Sequence, residues 1–234
     1  MKKVQLLTLT KKAARVGIFA VLIVSLPMML SACKLYTVVK LDQNGSSTQD
    51  SGFSAGGNSN FDGDRYVNSI WDQKVIPFIG EKAVDAVRVL KAMKQNADEA
   101  GKQFGFRDNT EGSPWNFIVK GRGKIIAVNT ASRAGTADID LPPYDGKKDL
   151  ILQIGPVIKG SSIRDSLSFI SFDDFENQIV YAQLGNSLNK KAYEQVLSTI
   201  EFANFKGKEI EFSGVFTLGD SSDILLTPIL LKEN

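Results

Sequence analysis

The stretch Trp115–Thr130, WNFIVKGRGKIIAVNT, decides how the rest of the chain is read. Aromatic and β-branched residues lie on both sides of a KGRGK centre, the composition and periodicity of a long strand. Gly121 and Gly123 stand where such a strand can bend or bulge. Downstream, TADIDL continues as a second strand after the tight turn ASRAG, and DLILQIGPVI reads as a third, more fully apolar one. A helix is expected from about Ser187 to Thr199, with Leu188, Ala192, Val196 and Ile200 along one side. GKEIEFSGVFTL and DILLTPILL then close the chain as two further strands.

Three strands, a helix and two strands is the element order of an OB-fold, whose long first strand often bends. Upstream the period changes from two to three and four. Val67, Ile70, Trp71, Val75 and Phe78 form one helical stripe, with Asp64 the expected N-cap and Gly80 the expected break. Ala83, Ala86, Val87, Leu90, Met93, Ala97, Ala100 and Phe104 form a second stripe, and DNTEGSP at Asp108–Pro114 reads as a turn that ends the helical half. The expected class is therefore α+β: a helical part over 64–107 packed on an OB-like antiparallel β-barrel over 114–234. Residues 155–183 read as an enlarged connection.

Before the folded part the chain is of a different kind. Lys2, Lys3, Lys11, Lys12 and Arg15 precede the uncharged apolar run Val16–Leu30, and Leu30-Ser31-Ala32-Cys33 follows. A basic leader, an apolar run of roughly 15 residues and small residues at its end describe a secretory signal peptide over 1–32. The run is short of the ~20 residues a membrane span needs, and Pro27 interrupts it. Leu-Ser-Ala-Cys matches a bacterial lipobox, so Cys33, the chain's single cysteine, is the expected lipidation site and the expected first residue of the exported protein. More than one acyl chain anchors stably where one alone would not. Lys34, not Asp, follows the cysteine, which favours outer-membrane over inner-membrane anchoring. Residues 33–63 are rich in Gly, Ser, Asn and Asp and read as a tether, whose 22 or so least apolar residues would reach roughly 25 Å.

Removing the leader takes 5 basic residues from 28 and none from 26 acidic ones, leaving a net charge of −3. The apparent basicity belongs to the targeting segment, and no electrostatic argument for nucleic acid remains. The chain has no histidine. A Ser-His-Asp triad, a thiol protease and a His-bound zinc site are thereby excluded, and no cofactor is expected. Ser187-Leu188-Asn189-Lys190 has the S-x-x-K spacing of penicillin-binding proteins but lacks its companion motifs. Asp173, Asp174 and Glu176 alternate with Phe172 and Phe175, a pattern that fits the wet side of a turn better than a calcium or glycosidase site. Lys120–Lys124 lacks the spacing of a phosphate loop.

Polar residues set in apolar company are the sharper candidates. Trp115 and Asn116 begin the first strand, Arg133 occupies the tight turn, and Arg164 and Asp165 lie between QIGPVIKGSSI and SLSFISF. Such residues form structural ion pairs or line a pocket. In a pocket, Arg and Asp would address hydroxyls while Trp stacks on a sugar face.

The succession YVNSIWDQKVIP, GSPWNFIVKGRGKIIAV, SRAGTADIDL and LQIGPVIKGSSIRDSLSFISFDDFENQI resembles a family of predicted periplasmic lipoproteins, domain of unknown function 2291. Members are typically encoded beside ribose-type sugar ABC transporters, so the resemblance implies an accessory role in sugar uptake. The function expected is a non-catalytic, lipid-anchored periplasmic module that binds a small carbohydrate or serves transporter components. One alternative is an interaction protein docking on the transporter; another is a hydrolase using carboxylates or Ser187 and Lys190.

Overall fold

Asp62, two residues before the expected cap, opens the helical part. Its carboxylate accepts the Arg65 N–H at 3.0 Å, satisfying one of the donors that a helix start leaves open. The computed structural model describes residues 61–108, 112–221 and 223–233; the leader, Cys33 and the tether as far as residue 60 lie outside them. Among the described residues no helix is long and apolar enough to cross a membrane.

Helix α1 (Gly63–Ile70) runs through a π-helical turn (Trp71–Val75) into α2 (Ile76–Lys82). Pro77 sits in the first turn of α2, where a missing N–H costs little. Gly80 lies inside α2, and the break comes instead at Ala83, whose extended backbone leads into the two-residue strand β1 (Val84–Asp85). Side-chain caps then set two more helix starts. Asp85 accepts the Arg88 N–H ahead of α3 (Ala86–Gln95), and Asn96 accepts the Glu99 N–H ahead of α4 (Ala97–Phe104). Strand β2 (Gly105–Phe106) follows directly.

The long strand forms as its composition dictates: β3 spans Asn116–Asn129. After it come β4 (Thr136–Asp140), β5 (Leu150–Gln153), β6 (Glu209–Thr217) and β7 (Leu225–Glu233). β3 pairs with β6 from Asn116 to Lys124 and with β4 from Lys124 to Asn129, so it passes from one side of the barrel to the other. β4 pairs with β5, β5 runs parallel to β7, and β7 pairs with β6, which closes a five-stranded barrel. The extra residue of the β3–β4 ladder falls at Ile126, beyond the two glycines. Gly123 meets a different need, because a Cβ there would stand 2.4 Å from Ile139 Cγ2 and only glycine lets β4 approach this closely. Short β2 and β1 pair with Asn116–Phe117 and Val119–Lys120, covering the edge of β3 that β6 leaves open.

Both faces of the first half of β3 are buried, which explains its unbroken NFIV run. Phe117 and Val119 point into the barrel with Phe212, Phe216 and Leu226, and α3 adds Ala86, Val89 and Leu90 to that core. Phe117 and Phe216 stack at 5.0 Å between centroids. Ile118, Val215 and Ile229 point outward into a second core built by Val67, Trp71, Val75 and Leu184.

The enlarged connection is ordered. It holds α5 (Ser162–Ser166), a 3₁₀ turn (Phe172–Asp174) and the first half of α6 (Gln178–Ala192), which continues as a π-helical turn (Tyr193–Leu197). The helix expected from Ser187 thus begins nine residues earlier, where Asn177 accepts the N–H groups of Ile179 and Val180. Its early turns escape a simple periodic reading because Gln178, Gln183 and Asn186 break the apolar stripe.

Candidate functional site

The junction between the start of β3 and the enlarged connection encloses a cavity of about 460 Å³. Asn116 and its antiparallel partner Phe106 form one wall. Arg164 and Asp165 on α5, Phe172 on the 3₁₀ turn and Tyr181 on α6 form the opposite one. Asp108, Ser113, Ser168 and Ser171 complete the polar lining. The size is in the range of small-molecule sites.

Asn116, Arg164 and Asp165 are each held by neighbours. The Thr217 hydroxyl bridges Asn116 Oδ1 at 2.6 Å and Ser162 Oγ at 2.9 Å, tying β3, β6 and α5 together behind Asn116. Arg164 directs Nε at 2.8 Å and Nη2 at 2.7 Å to Asp165 Oδ1, while Nη1 donates to the Tyr181 carbonyl at 3.1 Å. The guanidinium also lies 3.8 Å over the Tyr181 ring centroid, a cation–π contact. The second Asp165 oxygen accepts from the Ser161 hydroxyl. With side chains 15% and 27% exposed, the Arg164–Asp165 pair is sheltered but reaches the cavity. Burial pushes the Tyr181 phenol above its ordinary value, with Arg164 pulling the other way, so the hydroxyl stays protonated at neutral pH.

Of the five residues singled out from sequence, Asn116, Arg164 and Asp165 converge here. Trp115 does not line the cavity. Its Nε1 donates to Asp98 at 3.3 Å, Gly101 abuts the ring, and the Arg107 guanidinium lies 4.2 Å over it. Those contacts occupy the indole, and its role is to fasten α4 to the barrel. Arg133 is exposed in the β3–β4 turn, where its carbonyl accepts the Val157 N–H at 3.0 Å. Sequence reasoning did not select Phe106, Phe172 and Tyr181. Phe106 follows a helix and reaches the site only through strand pairing, and Tyr181 lies in the stretch of α6 that periodicity did not reveal.

The remaining motifs have local explanations. Ser187 and Lys190 both reach Asp64 on α1: Ser187 Oγ donates to Oδ1 at 2.6 Å and Lys190 Nζ to Oδ2 at 2.5 Å. The hydrogen bond to Asp64 raises the Lys190 pKa, the opposite of what a proton-accepting lysine needs. Asp174 accepts the Ser171 N–H at 2.9 Å in a capping box, so the acidic run shapes a turn. Among the described residues no group of three or more His, Cys, Asp or Glu is placed to hold a metal ion.

A closed five-stranded barrel in this strand order, carrying a pocket of small-molecule size at its flank, defines the class: an OB-fold domain. A crystal structure of an OB-fold protein from Thermotoga maritima at 1.90 Å resembles it with a TM-score of 0.63 and 23% identity, over 75% of this chain and 100% of that one. That likeness concerns the fold. Residues 22–232 match the family described as predicted periplasmic lipoprotein (DUF2291), and the chain belongs to that family. The membership places it in the periplasm as a membrane-anchored protein. No curated protein matches the chain.

Proposed function

We propose that the protein is a non-catalytic, lipid-anchored periplasmic module that binds a small carbohydrate in the cavity beside β3 and acts as an accessory to sugar ABC transport. One observation carries the reading: Asn116, Arg164 and Asp165 are gathered into one pocket with Phe106, Phe172 and Tyr181. Amide and hydroxyl groups exchange hydrogen bonds with sugar hydroxyls, while aromatic side chains cover the apolar C–H face of a sugar ring. Lipidation of Cys33, followed by Lys34, would hold the domain at the outer membrane.

The test is the melting temperature of the full chain, purified in mild detergent, against a panel of pentoses and hexoses. A ligand at about 100 times its dissociation constant adds roughly 2.7 kcal/mol, a shift of roughly 5–11 °C for a domain of this size. Phe172 is 40% exposed, so Phe172→Ala costs little stability; it should lose at least tenfold in affinity. A flat panel refutes the reading.

A second reading, docking on a transporter component, is favoured by the exposed side chains of Phe169, Phe172 and Ile179 along one segment, of which Phe172 lines the cavity. Site-specific cross-linking from position 169 in cells would then capture a transporter subunit, whereas cross-links to no such subunit would remove this alternative.

A further inference from the structure

We infer that the cavity accepts only uncharged ligands, neutral sugars or polyols, and rejects their phosphate esters and acids. This rests on the reading of the cavity as a carbohydrate site. Arginine grips a phosphate or carboxylate through two parallel N–H groups. Here the Nε–Nη2 edge of Arg164 is already closed on Asp165 Oδ1, at 2.8 and 2.7 Å. Nη1 is turned to the Tyr181 carbonyl, and the cationic face rests on the Tyr181 ring.

The balance of charge points the same way. Asp165 lines the cavity beside Arg164, and among the described residues no other Lys or Arg lines it. An arriving anion would therefore meet a single cation whose charge Asp165 already neutralises. Breaking the Arg164–Asp165 pair to free the guanidinium would leave a carboxylate that is only 27% exposed without its counter-ion. What remains for a ligand is neutral: the Ser113, Ser168 and Ser171 hydroxyls, the Asn116 amide and the apolar faces of Phe106 and Phe172. Such a set matches uncharged hydroxyls and C–H groups.

The experiment is calorimetric titration of the full chain with ribose, xylose, glucose, galactose and mannose, each beside its phosphate ester and its sugar acid. At least one neutral sugar is expected to bind, with its charged derivatives at least tenfold weaker. Asp165→Asn keeps the shape and removes the competing charge. In that variant the affinity for the phosphate ester, relative to its neutral parent, should rise at least tenfold. A phosphate or acid that binds the wild-type chain as tightly as its parent overturns the inference and leaves the carbohydrate site standing. An Asp165→Asn protein that shows no relative gain for the phosphate also overturns it. Failure of every sugar, neutral and charged, to bind overturns both.

Discussion

Replacing Gly155 by alanine tests how the cavity-bearing segment is held to the barrel. A Cβ at this buried position would stand 2.2 Å from the Arg133 carbonyl oxygen and 2.3 Å from the Gly135 nitrogen. Both are backbone atoms of the β3–β4 turn, so no side chain can swing aside. Overpacking of this kind costs about 1–3 kcal/mol. Relief requires the segment to retreat, weakening the Gly155 N–H to Gly135 O bond at 3.3 Å and the Val157 N–H to Arg133 O bond at 3.0 Å. Each is worth about 0.5–1.5 kcal/mol net, so the total is about 2–6 kcal/mol and the melting point falls on the order of 10 °C. The same methyl group at Gly80, an exposed site inside α2 with nothing within 4 Å, should instead stabilise. The expected gain is about 0.5–1 kcal/mol, from helix propensity. Urea unfolding of both variants, with the slope checked for constancy, measures the pair. A Gly155→Ala protein within about 0.5 kcal/mol of wild type would refute the packing argument.

Phe216→Ala removes one ring of the stacked Phe117–Phe216 pair from a fully buried site and should cost about 3–5 kcal/mol by urea unfolding; a loss under about 1 kcal/mol would mean the barrel interior collapses into the gap. The Lys190 and Ser187 hydrogen bonds hold the Asp64 pKa below the ordinary carboxylate value near 3.9. A lowered folded pKa adds stability that is complete above the unfolded value and lost as pH falls through the folded one. Thermal melts of wild type and Asp64→Asn should therefore converge as pH drops below about 4, and curves that stay parallel would contradict the assignment. Cys33→Ser should release the protein from the membrane fraction into the soluble periplasmic fraction, read by fractionation and immunoblot; unchanged membrane retention would show a different anchor.

Much of the fold was legible because its signals are local. The WNFIVKGRGKIIAVNT stretch marked a long strand, and the order of strands and helix pointed to an OB barrel. Side-chain caps lie within three residues of what they cap, so the boundary error stayed small at Asp62, whereas the single stripe Ala83–Phe104 hid the break that Asn96 caps. The start of α6 was less visible, because its first turns mix glutamines and asparagine with apolar residues and its burial is set by contacts from α1 and α5. Asn116, Arg164 and Asp165 were detectable as polar residues out of place among apolar ones. Trp115 carried the same signal, yet Gly101, Asp98 and Arg107 occupy it.

By itself the sequence determined the address and the class: a basic apolar leader, a lone cysteine in Leu-Ser-Ala-Cys, no histidine, and strand and helix periods in OB order. These follow from composition and short-range spacing, which operate without knowledge of neighbours. Only the tertiary structure decided which residues share a site. Pairing of β2 with β3 sets Phe106 beside Asn116, and packing of α5 and α6 against that end of the barrel brings Arg164, Asp165 and Tyr181 across from them. The separations involved, such as the 101 residues between Asn116 and Thr217, are bridged by contacts that no local pattern encodes. The closing of Arg164 on Asp165 and Tyr181, which sets the charge a ligand meets, is likewise a matter of geometry.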